Sequence, residues 1–177
     1  MLDKIRDILN QIPRRGGNST EALHCEGMVD LLNKNLSLFK LNDKPELVEK
    51  LTVLIWAHDL GEIEHQLSED AINIFNEYLS TEDGYWQSFF LEAINLFTRL
   101  EGETSEQHFQ RMLNSEFMDL KYVLIVKCLD CWENLSYTNA ERKWHEEFFG
   151  EDCDIAKEKY RKRRNMIVDI LNTKYFI

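Results

Sequence analysis

Two histidines and two aspartates stand in this chain where apolar surface is expected to be buried. His24 lies in "EALHCEGMV", His58 and Asp59 end "LTVLIWAHD", and Asp130 sits in "VLIVKCLDCWENL". An unpaired carboxylate in such surroundings is costly. A divalent cation held by two imidazoles and two carboxylates offsets that cost and leaves positions open for water. Any one of the four alone reads as a hydrogen-bonded core residue. Together, on three separate segments, they read as a metal centre. Two nitrogen and two oxygen donors suit manganese first, then iron, cobalt or zinc, with magnesium last.

The neighbours of these four have matching chemistry. Glu62 falls one helical turn beyond His58, on the same face if the helix continues past Gly61. There it is placed to orient or deprotonate a water molecule. Lys127 and Asn134 fall one turn either side of Asp130, suited to phosphate oxygens or ribose hydroxyls. Arg15 and Arg99 are the other candidates for anion binding. His65, a further turn along from Glu62, reads as a solvated helix residue.

Other chemistries find no support. The chain has no G-x-S-x-G, no Walker phosphate loop, no Gly-rich dinucleotide fingerprint and no zinc-protease motif. Cys128-x-x-Cys131 lies inside an apolar helix rather than at a helix N-terminus, so both read as core thiols.

The elements that must position these groups all read as helices. "LDKIRDILNQI" spaces Leu2, Ile5, Leu9 and Ile12 along one face. Asn18 with Glu21 is the expected start of the next helix, and Asp43 with Pro45 of the one after. Ser68 opens a helix through Tyr78. Thr104 with Gln107 and Thr138 with Glu141 have the spacing of capping boxes. "YWQSFFLEAINLFTRL" and "EFMDLKYVLIVKCLDCWENL" are long and apolar enough to be central. No stretch alternates like a strand. The expectation is a compact all-α fold, one domain over residues 1–177.

Composition agrees with a packed domain. Of 177 residues 44% are hydrophobic, while Gly (7) and Pro (2) are scarce. A net charge of −11 argues against polymeric nucleic acid as a partner. The basic run Lys157–Arg164 falls within a helical pattern carried by Ile155, Tyr160, Ile167 and Leu171, and reads as its solvated face. The N-terminus lacks a signal-peptide apolar region and no run approaches a membrane span. Four cysteines are then expected as reduced thiols of a cytoplasmic protein.

The order His…His-Asp…Asp resembles the HD superfamily of metal-dependent phosphohydrolases, over roughly Arg15 to Leu135. The resemblance implies an all-α fold with His24, His58, Asp59 and Asp130 as ligands. "FTRLEGETSEQHFQRML" followed by "VLIVKCLDCWENL" is similar to the alarmone (ppGpp) hydrolases of RelA/SpoT type. The matching residues are Thr98, Arg99, Gly102, Glu103, Lys127, Asp130 and Asn134, with Arg15 where that family has a basic residue near the nucleotide. That family carries Glu-Asp after the His-Asp pair; here the pair is Glu62-Ile63. A second branch, the 5′-deoxynucleotidases, is similar in its His-Asp-x-x-Glu and in an Ile-Pro-Arg segment like Ile12-Pro13-Arg14. The resemblance therefore implies a small-nucleotide phosphohydrolase, foremost a ppGpp 3′-pyrophosphohydrolase. The alternatives are a nucleoside 5′-monophosphatase and a catalytically silent domain binding nucleotide or a partner protein.

Overall fold

The computed structural model describes residues 1–61, 68–136, 138–150 and 152–176. Among them the chain forms nine α-helices: α1 (Leu2–Leu9), α2 (Glu21–Lys34), α3 (Pro45–Ala57), α4 (Ser68–Leu79), α5 (Gly84–Phe97), α6 (Ser105–Leu113), α7 (Leu120–Glu133), α8 (Asn139–Phe149) and α9 (Cys153–Ile170). A π-helical turn, Leu171–Tyr175, follows α9. The all-α expectation holds. The exception is a ladder of two two-residue strands, β1 (Pro13–Arg14) antiparallel to β2 (Ser19–Thr20), joined by a 3-10 turn at Arg15–Gly17.

α7 is the central element, packed against α2, α3, α5 and α9. Leu120, Val123, Leu124, Ile125, Val126 and Leu129 are all buried, so the helix is apolar around most of its circumference. Burying six such side chains contributes roughly 10 kcal/mol. That outweighs the several kcal/mol needed to bury one paired carboxylate, Asp130, on the same helix.

Caps explain most of the helix starts. Thr104 with Gln107 and Thr138 with Glu141 form reciprocal capping boxes, as their spacing predicts. Two expected starts are displaced. α2 is capped by Thr20, whose hydroxyl accepts from the Leu23 amide, and not by Asn18. Residues 19 and 20 are drawn into the ladder with β1, and Asn18 instead closes the turn by donating to the Arg15 carbonyl at 2.8 Å. α3 is preceded by Lys44 without a side-chain cap, Pro45 supplying the first turn in place of a cap at Asp43.

In the 3-10 turn Gly16 has φ +67, and a Cβ there would stand 2.1 Å from the Trp144 ring of α8. Only glycine meets both conditions. α9 also departs from its expected pattern. Ile155 is exposed while Arg163, in the middle of the basic run, is only 7% exposed. All four cysteines are buried free thiols, and burial pushes the thiols of Cys128 and Cys131 up to about 12. No described helix is long and apolar enough to cross a membrane.

Candidate metal centre

His24 is the fourth residue of α2, His58 follows the last residue of α3, and Asp130 lies in the last turn of α7. The three helices converge so that one ligand atom from each lies within 4.8 Å of the others, all three residues buried. His24 Nε2 is 3.4 Å from Asp130 Oδ1. The ring centroids of the two histidines are 5.5 Å apart, tilted by 43°.

Both imidazoles use Nδ1 elsewhere. His58 Nδ1 donates to the Ile55 carbonyl at 2.7 Å. His24 Nδ1 contacts Glu133 Oε2, one turn after Asp130. Nδ1–H on both rings leaves Nε2 as the lone-pair nitrogen. Both Nε2 atoms are buried without a hydrogen bond. Two orphaned imidazole nitrogens beside a buried carboxylate are a donor set that fits a divalent cation, with Glu133 and the Ile55 carbonyl as the outer partners that orient the rings.

Asp59 stands differently. Its Oδ2 is 3.1 Å from His58 Nε2 and it lines the same cavity, but it is not one of the three mutually close groups. Its side chain is one-third exposed. Burial raises its pKa, yet a protonated His58 facing it outweighs this and lowers it. At Asp130 burial likewise raises the pKa, and Lys127 with the imidazoles of His24 and His58 holds it well below the usual carboxylate range.

The condition that would put Glu62 on the His58 face, a helix continuing past Gly61, is not met: α3 ends at Ala57, with a turn from His58 to Gly61. The reason is local. The Ile55 carbonyl, which a continuing helix would give to the amide of residue 59, takes His58 Nδ1 and the Cys25 thiol at 3.6 Å. Glu62 and His65 lie outside the described residues.

A cavity of about 160 Å³ opens beside the centre. Asp59, Asp130, Lys127, Asn134 and Arg99 line it. Lys127 Nζ donates to Asp130 Oδ2 at 2.7 Å, and Asn134 Nδ2 to Asp130 Oδ1 at 2.5 Å. Both therefore steady the Asp130 carboxylate as well as face the cavity. Arg15 is not in the lining. It is buried, with φ +51, and donates to Glu141 Oε1 at 3.0 Å. Its neighbour Arg14 lines the cavity instead.

Sequence reasoning missed Glu133, Arg14, His108 and Arg163. The last two also line the cavity. Arg163 donates to the Ser105 carbonyl at 2.8 Å and to Glu106 at 2.9 Å, with its guanidinium over the Phe109 ring. Spacing offered one signal for Glu133, three residues after Asp130 on the same helix face. Arg14 belongs to the Ile12-Pro13-Arg14 segment that resembles the 5′-deoxynucleotidases, and His108 and Arg163 carried no signal that separates them from surface residues. No family model, no curated protein and no solved structure matches this chain.

Proposed function

We propose that the protein is a metal-dependent phosphohydrolase of HD type acting on a small nucleotide, with a ppGpp-like 3′-pyrophosphate ester as the leading substrate. The observation that carries this reading is the pair of orphaned Nε2 atoms of His24 and His58 beside Asp130. His24, His58 and Asp130 would hold the cation, with Asp59 within reach beside His58. When bound, a divalent cation supplies Lewis acidity toward phosphoryl oxygen and acidifies a water molecule.

The chain's own groups do the rest. Arg14, Arg99, Lys127 and Arg163 line the cavity with Asp59 and Asp130, Lys127 paired to Asp130, Arg163 to Glu106 and Arg14 to Glu21 and Glu133. Guanidinium and ammonium donors gathered at one cavity support binding of a phosphate. Glu62, four residues after His58 in sequence, is the carboxylate proposed to accept the proton of the attacking water, on its sequence position alone. A 5′-monophosphatase is the second reading, favoured by one observation. Arg14, from Ile12-Pro13-Arg14, lines the cavity, while Arg15 is turned to Glu141.

The test is a nucleotide panel with manganese-loaded protein, scoring phosphate and pyrophosphate separately. Pyrophosphate release from ppGpp supports the leading reading, and phosphate release from 5′-monophosphates the second. Binding without turnover of any member leaves a silent nucleotide-binding domain.

A further inference from the structure

A line of buried polar contacts runs from α8 to the metal centre. Glu141 Oε1 accepts from Arg15 Nη1 at 3.0 Å. Arg15 Nη2 donates to Asn134 Oδ1 at 2.9 Å. Asn134 Nδ2 donates to Asp130 Oδ1 at 2.5 Å and to the Asp130 carbonyl at 2.9 Å. Glu141, Arg15, Asn134 and Asp130 are each less than a tenth exposed. We propose that Glu141 is a positioning residue for the metal centre, fixing the Asp130 carboxylate through Arg15 and Asn134 and thereby setting affinity for the cation.

The physical basis is the polarity of one amide. The Asp130 carboxylate only accepts, so it takes the NH2 group of Asn134, and the Arg15 guanidinium at the far side only donates, so it holds Oδ1. Each end of the amide meets the group it suits, and Arg15 fixes where that amide stands against Asp130. Arg14 Nη2 makes the same contact to Asn134 Oδ1 at 3.0 Å, but Arg14 lines the cavity, where an anionic ligand competes for it. Arg15 is anchored from behind and does not turn to the cavity. Its Nη1 also donates to the Ser136 carbonyl at 3.3 Å, and its Nη2 is 3.7 Å from Glu133 Oε2.

Glu141 is fixed in turn by its capping box. Its Oε2 accepts from the Thr138 amide at 2.7 Å, leaving Oε1 for Arg15. Burial raises the Glu141 pKa, but the Thr138 amide and hydroxyl and the Arg15 guanidinium outweigh this and lower it. The group is a carboxylate and a full counter-charge for Arg15. One side chain thus starts α8 and orients a metal ligand on α7.

The inference rests on the metal-centre reading, and its test separates the two. Manganese affinity is measured by calorimetry on metal-stripped protein, with melting temperature alongside. Glu141→Ala is expected to weaken manganese binding about 10- to 100-fold, the usual cost of losing an orienting partner. Thr138→Ala removes the cap hydroxyl and leaves the Arg15 pair. It is expected to lower the melting temperature by about 2–4 °C and leave affinity unchanged. If Glu141→Ala does not fold, Glu141→Gln, which keeps one acceptor oxygen, is expected to weaken manganese binding to a smaller degree. A folded Glu141 variant with wild-type manganese affinity overturns the positioning role. Wild-type protein that binds no manganese, iron, cobalt or zinc overturns the centre itself.

Discussion

His58 Nδ1 lies 2.7 Å from the Ile55 carbonyl oxygen, three residues back along the chain. This contact does two things. It occupies the carbonyl that would have carried α3 through residue 59, and it aims Nε2 toward His24 and Asp130. The end of the helix and the orientation of the His58 ring are one event.

Loss of the cation is expected to lower stability. A ligand bound only to the folded state at 100 times its Kd contributes about 2.7 kcal/mol. For a chain of this size that is roughly 5–11 °C in melting temperature. Thermal unfolding of metal-loaded and chelated protein measures it. Identical curves, with metal loss verified by elemental analysis, would show that no metal binds the folded state in preference to the unfolded one and would count against the centre.

Glu133 is expected to set metal affinity without being a ligand. It orients His24, so Glu133→Ala should weaken manganese binding about 10- to 100-fold. Gly27 gives a finer probe. A Cβ there would stand 3.0 Å from Glu133 Cγ, so the Glu133 side chain would have to give way. Gly27→Ala gains up to about 1 kcal/mol of helix propensity. It should therefore keep the fold while displacing Glu133 from His24. Unchanged affinity in both variants would show that packing alone orients His24.

The turn carrying Arg99 should be acid-sensitive. Arg111 donates to Glu103 Oε1 at 2.9 Å and to the Thr98 carbonyl at 2.8 Å, fastening the segment between α5 and α6. Hydrogen bonds from Arg111, with help from the Leu100 amide, lower the Glu103 pKa from 4.5 to about 2. A depressed carboxylate pKa contributes stability that is complete above 4.5 and lost as pH falls toward 2. The melting-temperature gap between wild type and Glu103→Gln should thus be widest above about pH 5 and close near pH 2. A gap independent of pH would assign Glu103 a role other than charge.

The helical fold was legible because its signals are local. The capping boxes at Thr104 and Thr138 and the apolar run of α7 need no knowledge of the partner helix. His24, His58 and Asp130 were legible because ionisable groups in apolar runs demand an explanation. What failed is non-local. Asn18 loses the cap of α2 because the short ladder pulls Thr20 into place. Arg14 and Arg15 are adjacent and chemically identical, and only the turn at Gly16 against Trp144 decides which one faces the cavity. Arg163 is one cation in a basic run, and only its contacts with Ser105 and Glu106 from α6 mark it as buried.

Arg14 and Arg15 give the last prediction, since the two enzyme readings part there. Arg14 lines the cavity, so Arg14→Ala should weaken nucleotide binding by about 10-fold or more, the size of a lost charged hydrogen bond. Arg14 also pairs with Glu21 and Glu133 at 3.4 Å, so the melting temperature should fall as well, by less than that of Arg15→Ala. Arg15→Ala leaves the Glu141 carboxylate buried and unpaired, a cost of about 3–5 kcal/mol. The melting temperature should then fall by roughly 6–20 °C. Affinity for ppGpp and for a nucleoside 5′-monophosphate, both at saturating manganese, is measured beside thermal unfolding. An Arg14→Ala protein that loses the monophosphate more than ppGpp favours the nucleotidase reading. If Arg15→Ala instead keeps its melting temperature and loses ppGpp affinity, the nucleotide lies on the Arg15 side and the cavity lining assigned to Arg14 is wrong.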